Sequence, residues 1–162
     1  MPRSVILVAV LLLAWQPVRA QTPATTAAAE PRVLVVPFES LAGGGPEDDA
    51  AAVARTMHRS LVVDLSRMRD LRAVEATEVA PNRDAAIAAG KEAGATFVVW
   101  GTVQYVEGRV RVDGEVLDAE TADAAGRFKV TGTLRELFEL QDLVAEQVRR
   151  RFAGRLGFIQ VG

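Results

Sequence analysis

Few residues of this chain are of types that carry out chemistry on their own. The sequence contains one histidine, His58, and no cysteine. A metal site built from imidazole or thiolate needs several such ligands, and a general base needs positioned partners. His58 lies next to Met57 on a predicted helix, off its main apolar stripe, so we predict an exposed or half-buried structural histidine. The sequence predicts no metal and no cofactor.

Three consecutive glycines, at 43–45, separate a predicted strand from a predicted helix, which is where a phosphate-binding loop would lie. Neither the G-x-x-x-x-G-K-[ST] pattern nor the G-x-G-x-x-G pattern fits them. The acidic run Glu47–Asp49 also opposes a phosphate at that helix terminus. Ser40, Ser60 and Ser66 lack the G-x-S-x-G context of a nucleophile. We therefore predict a plain loop and no enzymatic activity.

The better candidate for function is a face of mixed charge on the strands of the second half. From 109 to 116, charged residues alternate with apolar residues or glycine. This pattern predicts a strand with one buried face and one face exposed to solvent. The predicted wet face carries Trp100, Thr102, Gln104, Arg109, Arg111, Asp113, Glu115, Arg127 and Lys129. Trp and Arg are typical anchors of protein contacts. Two interpretations stay open: a protein-binding face, or a solvated face with its tryptophan covered by the leader or the tail.

The segment 153–162 forms an apolar C-terminal tail, and Phe158 and Ile159 are its candidate contact residues. An apolar segment of this kind can add as a strand to the sheet edge of a partner. It can equally close the edge of its own domain. The sequence does not separate these two interpretations.

An alternating pattern of strands and helices positions these residues. Predicted strands cover 33–36, 71–74, 96–106, 109–118 and 126–131, and predicted helices cover about 47–68, 83–93 and 133–152. Because the middle strand of the last three has a wet face, helices should cover one side only. We predict an α/β chain folded as an α+β two-layer sandwich. It has a mixed five-stranded sheet in order 2-1-3-4-5, the element order β-α-β-α-β-β-β-α, and its helices on one face.

The amino terminus predicts export. Arg3 precedes an apolar run from Val5 to Trp15, and the segment 1–20 reads as a signal peptide cleaved between Ala20 and Gln21. The run is about half of the ~20 apolar residues that a membrane span requires, which argues against an uncleaved anchor. We predict a flexible leader at 21–31, an ordered domain at 32–152 and a periplasmic location.

The charge of the chain bears on its partners. The formal net charge is -2 and the sequence pI is near 5.5. Nucleic acids and anionic membranes are bound through clustered basic surfaces. We therefore predict neither a nucleic-acid partner nor direct membrane insertion after cleavage of the signal peptide.

Several stretches of the chain together resemble the TolB amino-terminal-like or FlgO-like domain family of bacteria. They are Val35–Ser40, Lys91–Val103, Arg109–Val112 with Val116–Ala119, and Glu136–Asp142. The resemblance covers about 32–152. Glu120-Thr121-Ala122 replaces the Ala-Thr-Gly turn usual in the family, and a tryptophan often found shortly afterwards is missing, so we expect a differently shaped hairpin there.

The resemblance implies a non-enzymatic periplasmic protein-interaction module, an accessory factor of a cell-envelope system with protein partners of the envelope. The alternative that it implies is a self-assembling structural component of an outer-membrane, secretion or motility complex. The sequence leaves a homo-oligomer open, and a stable ring or dimer would favour the second function. The two functions differ in whether the domain captures another protein or its own copies.

Overall fold

The computed structural model describes residues 30–41 and 47–155. Its elements, in chain order, are β1 Arg32–Val35, β2 Glu39–Leu41, α1 Glu47–Ser66, β3 Arg72–Glu75, α2 Arg83–Glu92, β4 Phe97–Val106, β5 Arg109–Asp118, β6 Ala124–Thr133, a 3-10 turn Leu134–Glu136, and α3 Leu137–Arg155. The predicted signal peptide, the glycines at 43–45 and the predicted tail contacts Phe158 and Ile159 lie outside the described residues. Within the described residues, no helix has the length and apolar character needed to cross a membrane.

The strands form one mixed sheet in the order β3-β1-β4-β5-β6. β1 runs parallel to β3 and β4, whereas β4, β5 and β6 form an antiparallel meander. This confirms the predicted fold class and strand order. β2 is a sixth strand that the sequence did not predict; beyond the break at Pro37 it pairs in parallel with the part of β4 from Thr102 to Gln104.

The main core lies between one face of the sheet and the helices α1 and α3. Phe97 of β4 and Phe152 of α3 meet there with ring centroids 5.5 Å apart. The core includes Val33, Val35, Phe38, Met57, Leu61, Leu65, Val99, Val103, Val110, Val112, Phe128, Leu140, Val144 and Val148. Both helices use stripes with three- and four-residue spacing, as the sequence predicted.

A second, smaller core corrects the prediction that all helices cover one face. α2 packs on the opposite side of the sheet, where Ile87 joins Leu34, Val98 and Leu117. Consecutive residues of β1 and β4 therefore point into different cores. The α2 side is covered over β1 and over the ends of β4 and β5, and the rest of that side remains open.

Local sequence sets the turns. Asn82 caps α2 by accepting a hydrogen bond from the backbone N–H of Ala85 at 2.9 Å, as predicted. Glu107 and Gly108 have φ of 50° and 78°, as a tight two-residue hairpin requires. In the next hairpin Asp118 Oδ1 accepts hydrogen bonds from two backbone N–H groups, those of residues 120 and 121, at 2.9 and 3.0 Å.

Candidate functional site

The open face is the side of β4, β5 and β6 opposite α1 and α3 that α2 leaves uncovered. Its side chains belong to Thr102, Gln104, Arg109, Arg111, Asp113, Glu115, Arg127 and Lys129, with Trp100 at its border with α2. The antiparallel register arranges them in rows across the strands. The rows are Trp100–Glu115–Arg127, Thr102–Asp113–Lys129 and Gln104–Arg111–Thr131. The structure thus places all the sheet residues predicted for the contact surface on one side.

Glu115 is the centre of the first row. Its side chain is only 16 % exposed, and it accepts hydrogen bonds from Arg83 of α2, at 3.1 Å, and from Arg127 of β6. Arg83 also donates to the backbone carbonyl of Ala122 at 2.6 Å. Because of these contacts, a single carboxylate connects α2 to the outer strand of the sheet.

Asp113 organises the second row. Arg111 donates to Asp113 through two nitrogens, with Nη2 to Oδ1 at 3.2 Å, and Lys129 Nζ lies 3.9 Å from Oδ1. The hydrogen bond from Arg111 and the negative charge of Asp113 raise the pKa of Arg111 above its ordinary value. The open face carries four cationic side chains, at 109, 111, 127 and 129, and two carboxylates, at 113 and 115. The face is therefore positive although the whole chain is slightly acidic.

Trp100 lies on the predicted side of the sheet but does not project freely from it. Its ring is half-buried against the α2 core, and Nε1 donates to the backbone carbonyl of Ala80 at 3.2 Å. The covering groups therefore include the segment before α2. Trp100, Thr102, Asp113, Glu115, Arg127 and Lys129 border a shallow depression of about 360 Å³.

Gln104 and Arg109 lie further along the open face. Gln104 is half-buried opposite Arg111, and Arg109 is exposed opposite Val106. Within the part of the chain that the structure describes, Arg109 makes no side-chain hydrogen bond or ion pair. Its guanidinium can therefore bind a partner without first leaving a carboxylate.

His58 is buried, which corrects the prediction of an exposed or half-buried position. Its side chain is 6 % exposed; Nε2 lies 3.2 Å from the backbone carbonyl oxygen of Val35, and Nδ1 lies 3.6 Å from a carboxylate oxygen of Glu75. Because a carbonyl oxygen only accepts, Nε2 is the nitrogen that carries the proton and donates. The histidine therefore connects α1 to β1.

Sequence reasoning missed a larger cleft beside His58. It has a volume of about 640 Å³ and lies beyond the carboxyl ends of β1 and β3, against the first half of α1. We name it the β2 cleft because β2 forms one wall. Its lining includes Phe38, Glu39, Ser40, Ala54, Arg55, His58, Arg59, Glu75 and Val79. The helical spacing of Arg55 and Arg59 was visible in the sequence. Their position in a cleft depends on β2, which the sequence did not predict.

The fold is similar to the folds of TolB and of a bacterial lipoprotein, and this similarity confirms at the level of the fold the resemblance seen in the sequence. No protein-family model and no curated protein matches this sequence. No group of three or more His, Cys, Asp or Glu side chains that could hold a metal occurs among the described residues.

Several solved structures have folds similar to that of this chain. TolB from Acinetobacter baumannii superposes with a TM-score of 0.56 at 13 % identity, over 76 % of this chain and 28 % of TolB. Lipoprotein GNA1162 from Neisseria meningitidis has a TM-score of 0.51 at 16 % identity, over 73 % of this chain and 96 % of GNA1162. The carboxy-terminal domain of LpoB from Escherichia coli gives 0.47 at 13 % identity, over 68 % of this chain and 87 % of that domain. This chain therefore matches a minor part of TolB and nearly all of GNA1162.

Proposed function

We propose that this chain is a non-enzymatic, exported protein-interaction module that serves as an accessory factor of a bacterial cell-envelope system. The observation that carries the proposal is the open face. It presents four cations on two neighbouring strands, β5 and β6, and two carboxylates hold three of these cations in fixed rows. A pre-ordered charged surface of this kind favours recognition of a complementary surface, because less side-chain freedom is lost on binding.

Three further observations support the proposal. The fold is similar to TolB and to a bacterial lipoprotein, and the sequence carries the pattern of an export signal. The single histidine, the side chain best suited to acid–base catalysis at neutral pH, is buried and bonded to a backbone carbonyl. The fold similarity and the export pattern favour a location in the envelope, and the contact of the histidine with a backbone carbonyl favours a binding role.

The excess of positive charge on the open face favours an acidic partner surface. The test is crosslinking in cells from a photoreactive residue at Gln104, which lies on this face. We expect one crosslinked envelope protein. The double variant Arg111→Glu with Lys129→Glu should abolish that product, because it reverses two charges without touching either core.

The matched control is Arg149→Glu with Arg150→Glu on α3, which changes the net charge equally at a distance from the open face. The crosslinked protein should persist in this control. Recovery of crosslinks only to the chain itself, or equal loss in both double variants, contradicts the proposed role of the open face.

Self-assembly is the second candidate function, and exposed apolar side chains at the start of α3 favour it. Phe138 is 76 % exposed, and Leu143 and Leu134 are also exposed. Large apolar groups in such positions often mark protein contacts. Light scattering after size exclusion separates the two functions: a defined oligomer that Phe138→Asp converts to monomer supports assembly, and a monomer supports capture of another protein.

A further inference from the structure

The β2 cleft lies at a point where the chain changes direction across the sheet. After β1 and β2 the chain enters α1 on one face, and after the neighbouring β3 it enters α2 on the other face. Connections that leave adjacent parallel strands on opposite sides open a crevice at the carboxyl ends of these strands, and open α/β sheets bind ligands there. The cleft occupies this crevice, and its location alone suggests a binding site distinct from the open face.

One wall of the cleft is an unpaired strand edge. β3 ends at Glu75, opposite Val35 of β1, whereas the chain continues through β2 from Glu39 to Leu41. β2 pairs with β4 on one side, and none of the described strands pairs with its other side. Such an edge offers backbone donors and acceptors to an added strand. The cleft beside this edge, which Ala76, Thr77 and Val79 also line, is therefore available to an extended peptide.

The cleft is lined by two arginines and two glutamates. Arg55 and Arg59 lie one turn apart on α1, and both line the cleft and are exposed. Neither forms a side-chain hydrogen bond or an ion pair with any described residue. Glu39 and Glu75 also line the cleft, and a carboxylate oxygen of Glu75 lies 3.6 Å from Nδ1 of His58. Two arginines are therefore available to a carboxylate.

We propose that the β2 cleft binds an extended acidic peptide segment of a partner protein. The segment pairs its backbone with the free edge of β2 and directs a carboxylate to Arg55 and Arg59. In such strand addition the main-chain hydrogen bonds supply affinity, and side-chain pockets supply specificity. Val79, which lines the cleft and is 49 % exposed, offers an apolar contact for an intervening aliphatic side chain, and the volume of about 640 Å³ lies in the range of ligand sites.

The experiment uses the chain from Gln21 onward and a fluorescent, amide-capped pentapeptide, Val-Glu-Val-Glu-Val. We expect saturable binding by fluorescence anisotropy, with NMR shifts in the amides of β2 and of α1 around Arg55 and Arg59. The lysine version, Val-Lys-Val-Lys-Val, should bind about tenfold more weakly or not at all, since opposite charges at the site set the selectivity. Shifts confined to the open face overturn the proposal.

One double variant and one modified peptide separate the contribution of charge from that of backbone pairing. Arg55→Ala with Arg59→Ala should weaken binding about tenfold, because it removes both charge-assisted contacts. Arg149→Ala with Arg150→Ala removes the same charge from α3 and should leave binding unchanged. A glutamate peptide N-methylated at its central residues should lose binding although its charge is intact; equal binding by this peptide overturns strand addition.

Two further measurements distinguish peptide binding in the β2 cleft from binding at the open face and from self-association. Arg111→Glu with Lys129→Glu on the open face should leave peptide binding unchanged, so failure of one proposal does not entail failure of the other. If the protein self-associates and its copies displace the peptide, the occupant is a second copy, and the proposal of a partner peptide is wrong.

Discussion

Glu115 is the most enclosed charged side chain of the open face, and its position explains why one residue affects two layers of the molecule. The carboxylate accepts from Arg83 on one side and from Arg127 on the other. Arg83 starts α2, and Arg127 belongs to the outer strand β6. An ion pair with an enclosed partner loses less energy to solvent screening than a pair in which both groups are exposed.

Replacing this carboxylate should therefore have a measurable cost. We expect Glu115→Gln to lower the free energy of unfolding by about 1 kcal/mol, because two charge-assisted hydrogen bonds are weakened while the arginines keep access to water. Urea unfolding followed by circular dichroism measures the change. Glu146→Gln on α3 is the control: the side chain of Glu146 is 40 % exposed, against 16 % for Glu115, and no comparable loss should appear. Equal effects at both positions contradict this assignment.

At the scale of elements, the approach of α2 to the sheet depends on Gly90. A Cβ at this position would lie 2.2 Å from Cγ2 of Val98 and 3.5 Å from Cβ of Ala119. Alanine in place of a helical glycine normally stabilises a helix by about 1 kcal/mol. Here the overlap involves a fully buried β-branched side chain, and forcing a core apart costs about 1–3 kcal/mol, so the steric cost exceeds the helix gain.

We accordingly expect Gly90→Ala to destabilise the protein, and Val98→Ala in the same chain to relieve part of that loss. A double-mutant cycle in urea measures the coupling between the two positions. Ala88→Gly, at an exposed position of the same helix, reports helix propensity without the steric contact. Additive effects of the Gly90 and Val98 substitutions, or stabilisation by Gly90→Ala alone, exclude the proposed contact.

The elements also show where sequence reasoning succeeds. The alternation in β5 predicted the open face correctly, because its period of two fixes which side chains share a side. Extending that pattern to the whole sheet produced the error about α2. The run Phe97-Val98-Val99 is apolar at every position, which is typical of strands buried on both faces, and it marked the covered region in advance. β2 has only three residues, too few for a period to be read.

Side-chain partners across the fold were less accessible to prediction. The helical spacing of α1 identified its apolar stripe but not the carbonyl of Val35 that receives His58, since that contact spans 23 positions in sequence. The β2 cleft needs the relative placement of β2, β3 and α1, which no local pattern contains. The rows of the open face, in contrast, follow from strand register alone once the hairpin turn at 107 and 108 is located.

At the scale of the whole molecule, the two cores should unfold together because they share strands. Val33 and Val35 of β1 enter the main core and Leu34 enters the second, so neither core persists when β1 leaves the sheet. We therefore expect a chain of residues 30–155 to fold by itself and to unfold in one transition. This fragment retains one tryptophan, Trp100, whose fluorescence reports the α2 side.

Far-UV circular dichroism of the same fragment is dominated by α1 and α3, on the other side of the sheet. The urea midpoints from fluorescence and from circular dichroism should coincide, and Gly90→Ala should shift both by the same amount. The midpoint should also match that of the chain from Gln21 onward, if the ordered domain is 32–152 as the sequence predicts. Separate transitions would show that the α2 layer is a less stable unit, able to open without loss of the main core.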